Sequence, residues 1–477
     1  MTHPFRAFRR IFRREHLRST VVNAARSEIV PTAATSSKPS EPLRIAVIGS
    51  GISGMSAAWL LSQRHAVTVY EQAGRLGGHS NTVDAPMPVD TGFIVYNENT
   101  YPNLVALFRH LEVSTKPSDM SFAVSLDRGR LEYGGSNLRQ VFAQKRNLLS
   151  PRFWSMLRDL ARFYREAPSF AEDGGAVTSL GDYLDARGFG DAFQSDHLLP
   201  MAAAIWSTPA GRVRDYPAGA LIRFCDNHGL LTIANRPLWR TVEGGSRAYV
   251  ARLTARYADR VRLGRAATRI VRTRAGVTVL DATGGIETFD RVVVATHADR
   301  ALAMLVNPTQ DEVAILGAFR YTKNLAVLHS DAGLMPTRRK IWSSWNYLSD
   351  SGAGAAAAPC VTYWMNKLQG IPETSPLFVT LNPNRAPRPE SVICEETYEH
   401  PLFDAEAIRA QRQLWRLQGQ RGIWFCGAYF GSGFHEDGLQ AGLAAAEAAG
   451  GARRPWNVAN ESGRIHLGPA TPVRLAS

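Results

Sequence analysis

The chain has 477 residues, 45% hydrophobic and 20% charged, which is enough apolar content for two or three domains and excludes a disordered or fibrous class. No apolar run reaches the roughly 18 to 20 residues of a transmembrane helix. The Ala-rich stretches at 353–358 and 441–449 are too short or are broken by Glu447. Net charge is +13, yet no nucleic-acid recognition module accompanies it, so nucleic acid is not an expected partner.

The four cysteines, Cys225, Cys360, Cys394 and Cys426, are far apart and form no CxxC. That spacing supports neither a disulfide framework nor a zinc site, and it predicts a cytoplasmic protein. Histidines at 197, 228, 297, 329 and 435 are scattered with no metal-ligand spacing, so no metal is expected.

Charge concentrates at the start. Residues 1–44 hold nine Arg or Lys against Glu15, Glu28 and Glu41. Phe5, Phe8 and Phe12 recur at helical spacing among arginines, a pattern suited to a helix lying in an anionic membrane interface. Two other readings stand beside it: a disordered basic extension, or upstream sequence foreign to the native protein. There is no apolar h-region, and the Pro- and Ser-containing stretch 31–42 reads as a linker.

Past residue 42 the first element is a short apolar strand, Ile45 to Ile48, suited to burial on both faces of a parallel sheet. Gly49, Gly51 and Gly54 follow at GxGxxG spacing, with Ser53 among them. Gly49 permits the sharp turn, Gly51 lets backbone approach a pyrophosphate, and Gly54 allows close packing of a helix from Met55 to Gln63. A second strand, Ala66 to Tyr70, ends on Glu71, which is placed to accept hydrogen bonds from a ribose. Strand, helix, strand and terminal acid together make a dinucleotide fingerprint.

Further along, Phe153, Leu157, Leu160, Ala161 and Tyr164 mark the apolar face of an amphipathic helix, and Ser179 with Asp182 opens another. Asp290 to Ala295 reads as a buried strand, and Asn324–His329 and Cys360–Met365 as strands of a mixed sheet. Trp342, Trp345, Tyr347, Tyr363 and Trp364 are candidates for an apolar channel, with Tyr363 and Trp364 on opposite faces by alternation. Glu436-Asp437-Gly438 precedes a helix from Leu439 to Ala449, whose N–H groups would favour negative charge.

The run Glu71-Gln-Ala-Gly-Arg75-Leu-Gly77-Gly78-His79 extends the fingerprint into a pattern that resembles the flavin-containing amine oxidase superfamily, which includes phytoene desaturase-like and protoporphyrinogen oxidase-like enzymes. Thr241-Val-Glu-Gly244-Gly245-Ser-Arg-Ala-Tyr249, Gly422 to Gly427 and Glu436 to Gly442 resemble later segments of the same superfamily, so the likeness spans about 43–452. Val89-Asp90-Thr-Gly-Phe-Ile-Val-Tyr96-Asn97 marks a bacterial branch of it. The resemblance implies FAD as cofactor, with Gly49, Gly51, Ser53, Gly54, Glu71, Arg75, Gly77, Gly78, His79, Gly427, Asp437, Gly438 and Leu439 around it. It also implies an α/β fold: a Rossmann-type FAD-binding domain from 43–115, 236–310 and 418–452, interleaved with a mixed-sheet and helical substrate domain from 116–235 and 311–417. Residues 1–42 are then a basic tail and linker, and 453–477 a C-terminal tail.

This sequence departs from the superfamily's pattern at several points. The nearest match to its flavin-site lysine is Lys323, displaced by about two positions. Phe434, followed by His435, stands where a tyrosine is usual, His79 replaces an arginine, and Ala428 replaces an acid whose role falls to Asp437 or to nothing. Lys323, Phe434 and His435 are the catalytic candidates, His435 because titration near neutral pH suits proton transfer. The expected function is an FAD-dependent oxidoreductase taking a hydride from a largely apolar small molecule, with contact to a membrane surface through the tail. Carbon–carbon desaturation of a lipid or isoprenoid, and a flavin-binding assembly protein without turnover, are the alternatives.

Overall fold

The computed structural model describes residues 41–172, 178–206, 210–227, 229–232, 237–350 and 359–468. The basic segment 1–40, His228 and the Ala-rich stretch 353–358 lie outside the described residues.

Five parallel strands make the first sheet, in the order Val261–Arg262, Ala66–Tyr70, Arg44–Ile48, Arg291–Val294, Ile423–Phe425. The central strand is buried along Ile45, Ala46 and Val47, as a strand covered on both faces must be. Three separate stretches of chain supply this sheet. The helix after the first strand runs Ile52–Leu61 and starts three residues before the expected Met55. Gly51, extended at φ −65° and ψ 178°, is its N-cap, which places Gly54 inside the first turn.

A second shift is larger. The C-terminal helix runs His435–Ala448 and so opens four residues before the expected Leu439. Phe434 is extended, and the Asp437 carboxylate accepts its N–H at 2.7 Å, closing the helix start around the acid. Gly438 is therefore inside the helix.

A seven-stranded sheet takes the order Val392–Leu402, Arg320–His329, Phe378–Leu381, Cys360–Trp364, Trp345–Ser349, Phe122–Leu126, Leu131–Gly134. Its pairs are antiparallel except Trp345–Ser349 with Phe122–Leu126. The last two strands come from 116–235, a stretch read mainly as helical, so both inserts build this sheet. Helices Pro151–Glu172, Leu180–Ala186, Leu199–Trp206 and Ala218–Asn227 occupy the rest of the first insert. Pro151–Glu172 buries Phe153, Met156 and Phe163, while Leu157, Leu160, Ala161 and Tyr164 of the expected face are only half-buried, so the buried stripe is turned from the one expected. Ser179 caps its helix through the Asp182 N–H at 3.0 Å.

Tyr363 and Trp364 take different surroundings. Tyr363 packs between the helical cluster and a smaller apolar cluster around Met365 and Leu368, and Trp364 meets Trp342 edge-on at 5.5 Å. Among the described residues no helix is long and apolar enough to cross a membrane.

Candidate active site

At the strand tips, Glu71 is buried, and its Oε2 accepts the Ser50 N–H at 2.9 Å and the Ser50 hydroxyl at 2.6 Å. Oε1 accepts the Ala73 N–H at 2.8 Å. A carboxylate has about four acceptor positions, so one on Oε1 is left for a ribose hydroxyl. Beside it, no atom lies within 4 Å of the point where a Cβ on Gly51 would stand. The helix behind Gly51 has no side-chain cap and no acid in its first turn, so its leading N–H groups face that space undiminished. A Cβ on Gly54, in contrast, would collide with the Gly49 carbonyl oxygen, which fixes how closely helix and strand approach. An acid with one free acceptor, an open cradle and uncapped N–H groups fit the adenosine and pyrophosphate of a dinucleotide.

The Arg75 to His79 loop returns to the same place. Gly77 donates its N–H to the Ser50 carbonyl at 3.0 Å, and the Arg75 guanidinium donates to the Gly78 carbonyl at 2.8 Å and faces Glu396 at 3.6 Å. The His79 ring sits edge-on to Tyr398 at 4.8 Å and near His400 at 5.5 Å. Burial, then the neighbouring His400, His297 and His435, push the His79 pKa well down, so the ring is neutral. Asp90, from the branch-marking motif, ties three segments together. It accepts from Ser246 N–H at 2.8 Å, Ser246 hydroxyl at 2.7 Å, Thr82 hydroxyl at 2.6 Å and Gln369 Nε2 at 2.9 Å. Burial raises its pKa to about 6.

His435 leads the C-terminal helix. Its ring stacks on Phe93 at 3.7 Å, and Nε2 lies 2.7 Å from the Tyr249 hydroxyl, which in turn contacts the Ser80 hydroxyl. Desolvation pushes the His435 pKa down to about 3. The expected titration near neutral pH is thereby corrected: stacking and enclosure strip water from the ring, and its charged form has no acid beside it. Tyr249 is pushed well above the usual phenol range by burial and keeps its proton. Ser80, Tyr249 and His435 thus form a chain of neutral groups.

The two acids after His435 point elsewhere. Glu436 accepts the Asn103 and Leu104 N–H groups at 3.1 and 3.0 Å, capping helix Pro102–His110. Asp437 takes Arg464 Nε at 2.6 Å besides the Phe434 N–H. The structure turns the buried Asp437 to a structural ion pair with the half-buried Arg464. Gly438 faces the fingerprint helix: a Cβ there would stand 2.9 Å from Ile52 Cγ2, and one on Gly442 would meet the Ser53 carbonyl. Leu439 is buried in the core, and Gly427 precedes the short helical turn Ala428–Phe430.

Lys323 stands apart from these groups. It is exposed on strand Arg320–His329, whereas its neighbour Asn324 points inward and donates to His400 Nδ1 at 2.9 Å. Strand alternation puts the two on opposite faces, so the lysine expectation is not met by Lys323, and Asn324 is the residue of that strand turned toward His400 and His79. Phe434 stacks on Phe224 at 4.6 Å and packs against the helical cluster. In the sequence Phe93 and Tyr249 lie inside motifs and Asn324 opens a strand, none with an assigned role, and no motif includes Tyr398 or His400. Only the sheet register, which pairs Asn324 with Tyr398 and Thr322 with His400, brings the last three together.

The parallel sheet and its uncapped glycine-rich turn are those of a dinucleotide-binding fold. The sequence profile of the flavin-containing amine oxidoreductases matches residues 52–449. The chain belongs to that family, and it is an FAD-dependent oxidoreductase. Among solved structures, it is similar to a CLA-producing fatty acid isomerase from P. acnes at 15% identity and TM-score 0.62, over 86% of this chain and 98% of the other. Cyclohexylamine oxidase from Brevibacterium oxydans gives 16% identity and TM-score 0.62 over the same shares. A doubly substituted putrescine oxidase gives 15% identity and TM-score 0.63 over 86% and 99%. No curated protein matches the chain.

Proposed function

We propose that this oxidoreductase takes a hydride from a largely apolar, uncharged small molecule, and that carbon–carbon desaturation fits it better than amine oxidation. FAD, when bound, supplies the hydride acceptor. The observation that carries the reading is the set of half-buried, mostly aromatic side chains packed on the two substrate-side clusters. Phe434, Phe122 and Tyr363 pack on the helical cluster, and Trp345 and Met120 on the smaller one. Such a wall holds an apolar body in place by desolvation and shape.

A cationic amine would need an anion or a deprotonating base near the reacting carbon. Glu436 and Asp437, the acids adjacent to His435, are already bonded to helix N–H groups and to Arg464. His435, with a pKa of about 3, is too weak a base to take a proton from an ammonium. The Ser80–Tyr249–His435 chain has two proton arrangements. In one, the Tyr249 hydroxyl donates to His435 Nε2; in the other, Nε2 donates to the hydroxyl, and either leaves every member neutral, which suits a low-dielectric site.

Anaerobic bleaching of the bound flavin tests this. We expect fatty acyl or isoprenoid compounds to reduce it and short diamines to leave it yellow. Bleaching by amines alone would overturn the reading, and a protein reduced by no compound of either class would favour the assembly role.

A further inference from the structure

We propose that the segment Leu138–Trp154 is a docking surface for an anionic lipid bilayer, independent of the basic tail. From Tyr133 to Arg158 the sequence has five Arg or Lys and no Asp or Glu across 26 residues. The fold turns this segment outward. Leu149 is 88% exposed, more than any other large hydrophobic among the described residues, and Leu138 and Leu148 beside it are 51% and 41% exposed. Leu148 and Leu149 end the 3-10 helix Lys145–Leu149, and Leu138 opens the short helix Leu138–Val141.

Aromatic rings tie the two pieces together. Phe142 meets Phe153 at 5.9 Å and Trp154 at 5.4 Å, and the Trp154 indole donates to the Leu148 carbonyl at 2.9 Å. Leu138, one turn before Phe142, donates nothing but apolar surface. The protruding leucines are thus held by a rigid aromatic base, not by a loose loop.

Three of the five cations are available. Arg152 is bound to Asp191 and Asp196, and Arg158 faces Asp159. Arg139, Lys145 and Arg146 are exposed and have no ion pair among the described residues, Arg146 reaching only the Gly129 carbonyl at 3.4 Å. Exposed leucines beside a tryptophan, on the same acid-free stretch of chain as three unpaired cations, match the needs of a bilayer surface, where acyl chains take up the leucines and headgroup phosphates the cations. A protein partner with an apolar pocket would answer the leucines. Charge complementarity with phosphate answers the cations as well.

The test is flotation of the full-length flavoprotein with vesicles of phosphatidylcholine alone or mixed with phosphatidylglycerol. Wild type is expected to float with the mixed vesicles and to be released by salt. Leu148→Asp with Leu149→Asp should lower binding about tenfold or more, from the apolar area withdrawn. Lys145→Ser with Arg146→Ser should lower it about fivefold per cation and flatten the salt dependence. Flavin content and melting temperature serve as folding checks, and Leu149→Asp alone, at a fully outward position, is the variant least able to disturb the core. Unchanged flotation of the leucine variant with folding intact overturns the proposal, whichever surface then carries the binding. So does a wild type that ignores vesicles but self-associates until Leu149 is replaced, which would assign the surface to a second copy of the chain.

Discussion

At Glu71 three hydrogen-bond donors share two oxygens, and their geometry leaves a single acceptor for the cofactor. Replacing Glu71 by Ala removes a charge-assisted acceptor worth roughly 1.5 to 3 kcal/mol, so FAD affinity is expected to fall about 10- to 100-fold. Equilibrium dialysis against FAD checks this, and binding equal to wild type would remove Glu71 from the site. Tyr249 poses a different question, because it contacts both Ser80 and His435. Tyr249→Phe should keep the flavin, lower turnover about tenfold and leave the ring of His435 without its partner. The pH–rate profile should then show no new step between pH 5 and 8, since His435 titrates near 3. A step near 6.5 in that variant would mean that Tyr249, more than burial, holds the ring neutral.

Two helices meet where the C-terminal one carries residues without side-chain bulk. Gly438 and Gly442 on the C-terminal helix let Ile52 and Ser53 of the fingerprint helix come close. Gly438→Val would push Ile52 away and misalign both helix starts at once. Loss of bound flavin and a lower melting temperature are expected together. A Gly438→Val protein with normal flavin and stability would show the interface to be slack. What the sequence revealed at this scale follows from how far apart the contributing residues are. Gly49 to Glu71 is a contiguous run in which each residue's task is set by its neighbours, so it was legible. The helix start at His435 was missed because Asp437 caps backwards onto Phe434, a choice decided by the partner Arg464, which lies 27 residues on. Asn324, Tyr398 and His400 were invisible for a related reason: strand register, not local pattern, makes them neighbours.

Across the molecule, several histidines are buried neutral. His197 and His400 are pushed down to about 4 by burial. His197 lies in the helical insert, with Nδ1 at 3.0 Å from the Tyr133 hydroxyl and Nε2 unpartnered. Its folded pKa is below the unfolded 6.5, so between pH 6.5 and 4 the unfolded chain holds more protons. Stability from this group is full above pH 6.5 and declines as pH falls, by about 2 kcal/mol at pH 5. His197→Phe should therefore lose less stability than wild type between pH 7.5 and pH 5, as read from urea midpoints. Tyr133 keeps a partner in that variant, since its hydroxyl donates to the Asp196 carbonyl. Identical acid shifts for the two proteins would refute the assignment.

The parallel sheet has a consequence for the order in which the protein can be made. Its first strand pairs on one side with Ala66–Tyr70 and on the other with Arg291–Val294, and the sheet closes only when Ile423–Phe425 arrives. At about 5 to 20 residues per second, translation leaves the apolar run Ile45 to Ile48 waiting roughly ten to fifty seconds for its second neighbour. The glycine turn exists on the ribosome long before the C-terminal helix that packs against it. FAD capture is thus a late event of synthesis, and a nascent chain stalled before Ile423 should emerge colourless and dependent on chaperones, whatever its fingerprint promises.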